Sequence, residues 1–351
     1  MTPALGPDRD GPVRMSGVGV RLATMSTTRA VDADFAEIIA PFEREIFAHC
    51  YRMMGSVHDA EDLAQETMLR AWRGYARFAG ASSVRTWIHK IATNTCLSAL
   101  ESRQRRPLPT GLGAPSTAPD APLVEQDILW LEPAPDGALG HDDPGDVAES
   151  RESVRLAFVA ALQLLPPRQR AVLILRDVLA WRAAEVAEAT GQSVAAVNSL
   201  LQRAREKVAQ AAPTREDALE PHSAAERELL ARYVDGFERY DIAGLVELFT
   251  ADAVWEMPPF EGWYTGPEDI GELIATQCPA TGPGDMLLVP TRANGQPAYG
   301  LYMRGEDGRH HPFHLHVVEC SGGGVRHVAA FFDTSLFETF GLPPVVDAPT
   351  A

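Results

Sequence analysis

Cysteine is scarce in this sequence, and hydrophobic runs of membrane length are missing. Its four cysteines (Cys50, Cys96, Cys278 and Cys320) lie far apart with no C-x-x-C pair, which excludes a zinc ribbon and a disulfide scaffold and fits a reduced, cytoplasmic protein. No apolar stretch approaches the ~18 residues of a membrane span, so an integral membrane protein is excluded. Gly17–Val20, among Arg9, Arg14, Arg21 and Arg29, is too short for the apolar core of a secretory signal. Met15 and Met25 leave the start of translation open, and residues 1–33 read as a disordered lead-in. There is no internal repeat. What remains is a chain of 351 residues, 45% hydrophobic, long enough for two or three domains that each bury a core.

The net charge of −17 argues against a nucleic-acid partner when taken whole. Divided along the chain, it does not. Residues 34–106 carry ten basic and nine acidic residues, and within them Arg70–Arg106 holds eight basic residues against Glu101 alone. Residues 107–150 carry nine acids and no base, together with eight prolines. Prolines at that density prevent regular helix or central strand, and like charges extend the chain. This segment therefore reads as a linker with one apolar island at Ile128–Leu131. Residues 151–212 have nine basic and five acidic residues, and residues 222–351 have seven and nineteen. Two helical modules are thus separated by an acidic linker and followed, across residues 213–224, by an acidic C-terminal domain at 225–342 and a tail at 343–351.

In the first module, Asp59-Ala-Glu-Asp-Leu-Ala-Gln-Glu opens a helix with acids in its first turn, which suits the helix dipole. Ala60, Leu63, Ala64, Thr67 and Ala71 fall on its inner face, leaving Asp59, Glu61, Asp62, Gln65 and Glu66 as an acidic outer one. That face is either solvated or a dock for a basic partner. A second helix starts at the N-caps Ser82 and Ser83 and runs to about Arg103. Its stripe Thr86, Lys90, Thr93 and Asn94, with Arg77, Arg85, Arg103, Arg105 and Arg106, forms a cationic surface able to hold phosphates and to offer Asn94 to a base edge. Trp87 is either core or a stacking platform, and Phe78 is an exposed loop aromatic.

The second module contains Ala187-x3-Gly191-x5-Val197, the spacing of a helix-turn-helix. A small residue allows close approach, glycine takes the left-handed turn and a β-branched residue locks the second helix. Val194, Val197, Leu201, Ala204 and Val208 face inward, which leaves Ala196, Asn198, Ser199, Gln202, Arg203 and Arg205 for the major groove. The bland alternative is a helical hairpin used only for packing.

The stretches HDAEDLAQETMLRAW, SSVRTWIHKIATNTCLSALESRQRR and LPPRQRAVLILRDVLAWRAAEVAEATGQSVAAVNSLLQRAREKV resemble the extracytoplasmic-function sigma factors of the sigma-70 superfamily. RRPLPTGLG and WLEPAPD resemble their SigG-like branch in particular. The resemblance implies a multidomain chain with two all-α modules (sigma region 2 at 34–106 and the helix-turn-helix sigma region 4 at 151–212). It also implies core RNA polymerase, through its β and β′ subunits, and promoter DNA as partners. Asp59, Glu61, Asp62, Gln65 and Glu66 would meet β′. Arg77, Phe78, Arg85, Trp87, Lys90 and Asn94 would lie at the −10 element, and Ala196, Asn198, Ser199, Gln202, Arg203 and Arg205 at the −35 element. The linker resembles the segment that threads the polymerase channel. Asn198 and Leu200 stand where the family often has a basic residue, which implies fewer phosphate contacts and frees Leu200 for a thymine methyl or for polymerase.

The C-terminal pattern α-α-β-α-β-β-β-β, with FTADAVWEM and the FEGWYTG turn, resembles the α+β SnoaL-like cone. Its candidate pocket residues are Trp255, Met257, Trp263, Tyr264, His314, His316 and Asp333. A metal site on the histidines and a His316–Asp333 acid–base pair are the sharper readings there; a regulatory domain that takes a small ligand or docks on polymerase is the other. Neither a cofactor nor a catalytic role is expected. An anti-sigma factor is a further partner class. The rivals are a stand-alone helix-turn-helix regulator and a bifunctional enzyme.

Overall fold

The structure is a computed structural model that describes residues 35–78, 80, 82–102, 105–140, 153–211 and 219–347. The lead-in 1–33, Arg103, linker residues 141–150, residues 213–218 and the end of the tail lie outside the described residues.

The first module is built on α1 (Glu43–Met54), α2 (Val57–Tyr75) and α3 (Val84–Leu100). Ser56 and Ser83 cap α2 and α3, their hydroxyls accepting the amides of Asp59 and Thr86. Each cap satisfies an amide that the first turn leaves orphaned. A second cap on α2 comes from far along the chain. Glu132 of the linker accepts from the Ser56 hydroxyl (2.8 Å) and the Val57 amide (3.0 Å). Arg106 ties this carboxylate (3.2 Å) to Asp59 (2.9 Å) and is itself buried. Arg106 therefore does not belong to the cationic surface expected of it.

The second module comprises α4 (Leu156–Gln163), α5 (Pro167–Leu173), α6 (Ala183–Thr190) and α7 (Val194–Ala211). Gly191, at φ +66°, ends α6 as a left-handed cap and allows the tight turn into α7. Val197, Leu201, Ala204 and Val208 are buried as their spacing predicts. Val194, the first residue of α7, is 44% exposed instead. Leu200 packs partly against the core rather than facing out.

The two modules lie against each other. Arg52 at the end of α1 donates to the Ser153 carbonyl and hydroxyl, both at 3.0 Å. Arg170 of α5 is buried and donates to the Met53 carbonyl, to Gln163 Oε1 (2.6 Å) and to the Gln163 and Leu165 carbonyls. A cation among the last carbonyls of α1 complements the negative end of that helix.

The C-terminal domain curves a six-stranded sheet, β1 (Phe249–Glu256), β2 (Trp263–Thr265), β3 (Met286–Ala293), β4 (Gln296–Arg304), β5 (His310–Ser321) and β6 (Gly324–Phe331), in the order β2-β1-β6-β5-β4-β3. Only β1–β6 is parallel. The expected turn at Trp263 is this short edge strand β2. Side chains alternate between the two faces. Tyr299, Leu301, Val318 and Val328 pack under α8 (Ala224–Glu238), α9 (Ile242–Val246) and α10 (Pro267–Gln277), while Ala298, Tyr302, Leu315 and Val317 join the core that the helical modules share. α9 stops at Val246, and Phe249 already pairs in β1.

The linker does not hang free. Among its described residues the prolines keep it out of regular structure apart from a turn at Pro109–Gly111 and another at Asp136–Leu139, but its backbone is strapped along the cone. The Ser116 amide donates to the Trp263 carbonyl (2.7 Å), Gln126 to Pro259 (3.0 Å), and Glu261 to Val124 (3.1 Å). The apolar island buries Leu131 alone; Leu129 stays exposed.

Beyond the strap, the tip of the β3–β4 hairpin enters the junction of all the parts. Asn294, at φ +56°, is fully buried. Its amide group donates to the Tyr51 hydroxyl (2.9 Å) and the Val154 carbonyl (2.7 Å), and its Oδ1 accepts from Ala134 N (3.0 Å). One side chain thus bonds module one, the linker and the entry to module two. Arg292–Asp136 (3.0 Å) and Arg155–Glu319 (3.0 Å) flank it.

Candidate nucleic-acid interface

On α2, Glu61, Asp62 and Gln65 are exposed and Glu66 is half-buried, paired with Arg70 at 2.7 Å. Asp59 turns away into its ion pair with Arg106. Sequence reasoning missed the rest of this face. Leu69 (49% exposed) and Trp72 (46%) continue it seven and ten residues beyond Asp62, in phase with the helical repeat. Large apolar side chains left in water in phase with an acidic stripe are the marks of a protein-docking face.

On α3, Asn94 is exposed, whereas Thr93 is buried with its hydroxyl on His49 (3.0 Å). Lys90 reaches Glu188 of α6 at 3.3 Å, so the second module partly covers this face. Arg85 is paired with Glu45, and Arg77 is exposed. Trp87 and Phe78 are both half-buried and stack on each other, ring centroids 4.8 Å apart, so Phe78 is not the free loop aromatic expected. On α7, Asn198, Ser199, Gln202 and Arg203 are exposed and Ala196 is half-buried. Arg205 is exposed too but held by both oxygens of Asp177 (2.6 and 2.8 Å).

In the cone, Trp255 and His314 line a cavity of about 60 Å³ with Phe237, Met257, Phe313 and Phe332. His316 lies behind it, its Nε2 2.6 Å from that of His314 and its Nδ1 2.9 Å from the Tyr233 hydroxyl. The His316–Asp333 pair, the sharper of the readings weighed for the cone, does not form. Asp333 is exposed and receives the amide and hydroxyl of Ser335 (2.9 and 2.6 Å). Trp263 and Tyr264 lie outside the cavity lining; the Trp263 indole donates to the Gly113 carbonyl (3.0 Å). Among the described residues no group of three His, Cys, Asp or Glu could hold a metal ion.

Residues 38–106 match the family Sigma-70 region 2, residues 155–208 Sigma-70 region 4, and residues 230–331 the SnoaL-like domain. The ECF RNA polymerase sigma factor SigG of Mycobacterium tuberculosis H37Rv is 60% identical over 312 residues, 88% of this chain and 84% of its own. The chain belongs to the ECF sigma factors. SigJ of the same organism is 30% identical over 250 residues, 69% of this chain and 72% of its own. The crystal structure of SigJ shares the fold, with a TM-score of 0.58 over 87% of this chain and 100% of that one at 24% identity. This sigma factor binds core RNA polymerase and promoter DNA to direct initiation, and it carries a fused C-terminal regulatory domain.

The histidine pair makes the cone of this sigma factor acid-sensitive. Burial pushes His316 down to about 3 and holds His314 well below its ordinary value, with the neighbouring ring adding to the shift. Both are neutral when folded, whereas an unfolded histidine titrates near 6.5. As pH falls through 6.5 the unfolded chain takes up protons that the folded cone refuses, so stability is lost down to about pH 3. His316 alone costs about 2 kcal/mol at pH 5 relative to neutrality. Urea midpoints should therefore fall between pH 7 and pH 5, less steeply in His316→Gln, and identical slopes would contradict the assignment.

Proposed function

We propose that this chain is a cytoplasmic promoter-specificity subunit whose C-terminal domain holds it in a closed form incompatible with promoter binding. The observation that carries the reading is Asn294, which joins the first module, the linker and the second module through hydrogen bonds of 2.7 to 3.0 Å. Promoter elements named −10 and −35 are centred about 25 base pairs apart, roughly 85 Å along the duplex. A chain in which Lys90 of α3 touches α6 at 3.3 Å cannot read both at once. The modules must separate, and with them the contacts through Asn294, Arg52 and Arg170.

Within that reading the modules keep the bounds 34–106 and 151–212, with the cone at 225–342. Asp62, Gln65, Leu69 and Trp72 dock core polymerase. Arg77, Trp87, Lys90 and Asn94 meet the −10 element, Lys90 only after Glu188 withdraws. Asn198, Ser199, Gln202 and Arg203 meet the −35 element. The cone acts as a restraint, and the groups weighed for acid–base work in it are engaged elsewhere, His316 with Tyr233 and Asp333 with Ser335.

Reconstitution with core polymerase tests the docking face. Trp72→Ala truncates a partly exposed aromatic; core binding should weaken by about 2 kcal/mol or more, the scale of an interface hot spot, with an unchanged denaturation midpoint as the check on folding. Promoter-dependent transcripts should fall at least tenfold at limiting sigma. Unchanged transcription would remove Trp72 from the interface, and tight promoter footprinting without polymerase would favour a stand-alone regulator.

A further inference from the structure

A cleft of about 610 Å³ lies away from the cone, between the two helical modules. On one side α1 supplies Arg44, Glu45 and Arg52, and α3 supplies Arg85; on the other stands Asp177, in the turn after α5. Three guanidinium groups thus meet two carboxylates, and both carboxylates are engaged. Glu45 is held by Arg85 (2.7 Å), and Asp177 by Arg205 from outside the cleft (2.6 and 2.8 Å). The balance of charge at the cleft is positive.

Arg52 is the cation left without a counter-ion. It is 5% exposed and makes no ion pair among the described residues. Its Nε and Nη2 donate to the Ser153 carbonyl and hydroxyl, two neutral acceptors. Its Nη1 has no partner there and is not sealed from water, and the cleft is the space that the side chain borders. Burial has brought this guanidinium down to about 10, with the Glu45 charge opposing the shift. A buried cation without a paired charge is costly, and so is a buried donor without an acceptor. An anion entering the cleft relieves both.

The rest of the lining sets the shape of the guest. Pro41, Ala48, Leu139, Val178 and Leu179 form an apolar wall. The volume falls among those of small-molecule sites, about 300–1,000 Å³, and is well above the roughly 150 Å³ that admits a benzene ring.

We propose that this cleft binds a small organic oxyanion, a phosphate or carboxylate head on an apolar body, with the head on Arg52 Nη1 between Arg44 and Arg85. Such a ligand touches Arg52 of the first module and Val178 and Leu179 of the second, so it favours the closed form over the open one. That consequence rests on the closed-form reading above; the site rests on the geometry of the free chain.

Phenyl phosphate is the probe, each ligand being titrated into the full chain without polymerase. Benzoate is the matching carboxylate, inorganic phosphate the head alone and benzyl alcohol the uncharged body. The Arg52 Nε–H resonance reports binding, because its bond to the Ser153 carbonyl (3.0 Å) protects it from exchange. Phenyl phosphate or benzoate is expected to shift it at one ligand per chain and to bind at least tenfold more tightly than benzyl alcohol, the worth of a charge-assisted bond. The tighter of the two anions identifies the head as phosphate or carboxylate. Inorganic phosphate is expected to bind at least tenfold more weakly than phenyl phosphate for want of the apolar wall. Arg52→Gln should cost at least tenfold in affinity, and Arg44→Gln, at an exposed position, about threefold without loss of the fold. No Arg52 shift with either organic anion overturns the site, as does equal binding of the anions and benzyl alcohol. Core polymerase with promoter should weaken the binding at least tenfold. Binding unchanged by polymerase, with the Arg52 shift intact in the free chain, overturns the regulatory consequence and leaves the site standing.

Discussion

Asn294→Gly should raise promoter-dependent initiation by about tenfold or more at limiting core polymerase. Glycine keeps the left-handed backbone that the hairpin tip adopts at φ +56°, so the turn into Gly295 survives. What is lost is the side chain that bonds Tyr51, Val154 and Ala134. The Tyr51 hydroxyl keeps its bond to the Glu132 carbonyl (2.8 Å), but the Val154 carbonyl and the Ala134 amide lose their Asn294 partner. Orphaned buried groups cost about 1–3 kcal/mol each, so the closed form weakens by about 3 kcal/mol. At 1.4 kcal/mol per decade that moves the closed-to-open ratio about a hundredfold, more than enough to show in run-off transcripts. Wild-type transcript levels from this variant would mean that the junction does not limit initiation.

Arg170→Met should lower the unfolding free energy by about 3 kcal/mol, read as a shift in the denaturation midpoint. Two effects oppose each other here. Burial has already brought the guanidinium down to about 10, so a charge is being held where it is disfavoured. Removing it recovers roughly 3 kcal/mol. Against this stand the Met53, Gln163 and Leu165 carbonyls and the Gln163 side chain, all of which this one group satisfies. Bonds from a charged donor are worth about 1.5–3 kcal/mol each, and four of them outweigh the recovered burial cost. Arg170→Lys should rescue little, because an ammonium on a flexible stem cannot fork to the carbonyls of two modules at once. An undiminished midpoint in Arg170→Met would show that the burial penalty dominates.

The local features of this fold were legible where local chemistry decides them. Ser56 and Ser83 mark helix starts, Gly191 marks the turn between α6 and α7, and alternation places His314 and His316 on the same face of β5. The features that escaped are those made by distant partners. Nine acids and eight prolines predict a linker without regular structure, and its described residues hold only two short turns; composition is silent on the strand edge to which they are strapped. Arg106 reads as one more basic residue in a cationic run until Asp59 and Glu132 close around it. Asp333 follows the strand that pairs with His316, at Ala330, and its carboxylate turns to Ser335 at the surface. Asn294-Gly295 is a legible hairpin signal, and nothing near it in sequence announces that the tip is buried among three other segments. In the candidate interface, the exposed faces of α2 and α7 followed from periodicity, whereas the cover that α6 lays over Lys90 did not.

The distance between the two helical modules tests the central claim most directly. Spin labels at Glu101→Cys and Gln210→Cys occupy exposed positions at the end of α3 and on α7, while three of the four native cysteines are buried. Pulsed electron-electron resonance on the free chain should give a single narrow distribution. Core polymerase with promoter should lengthen it by tens of ångströms, as an element spacing of roughly 85 Å requires. A distribution that is already long and broad in the free chain, or one that stays unchanged in an initiating complex, would contradict the closed form.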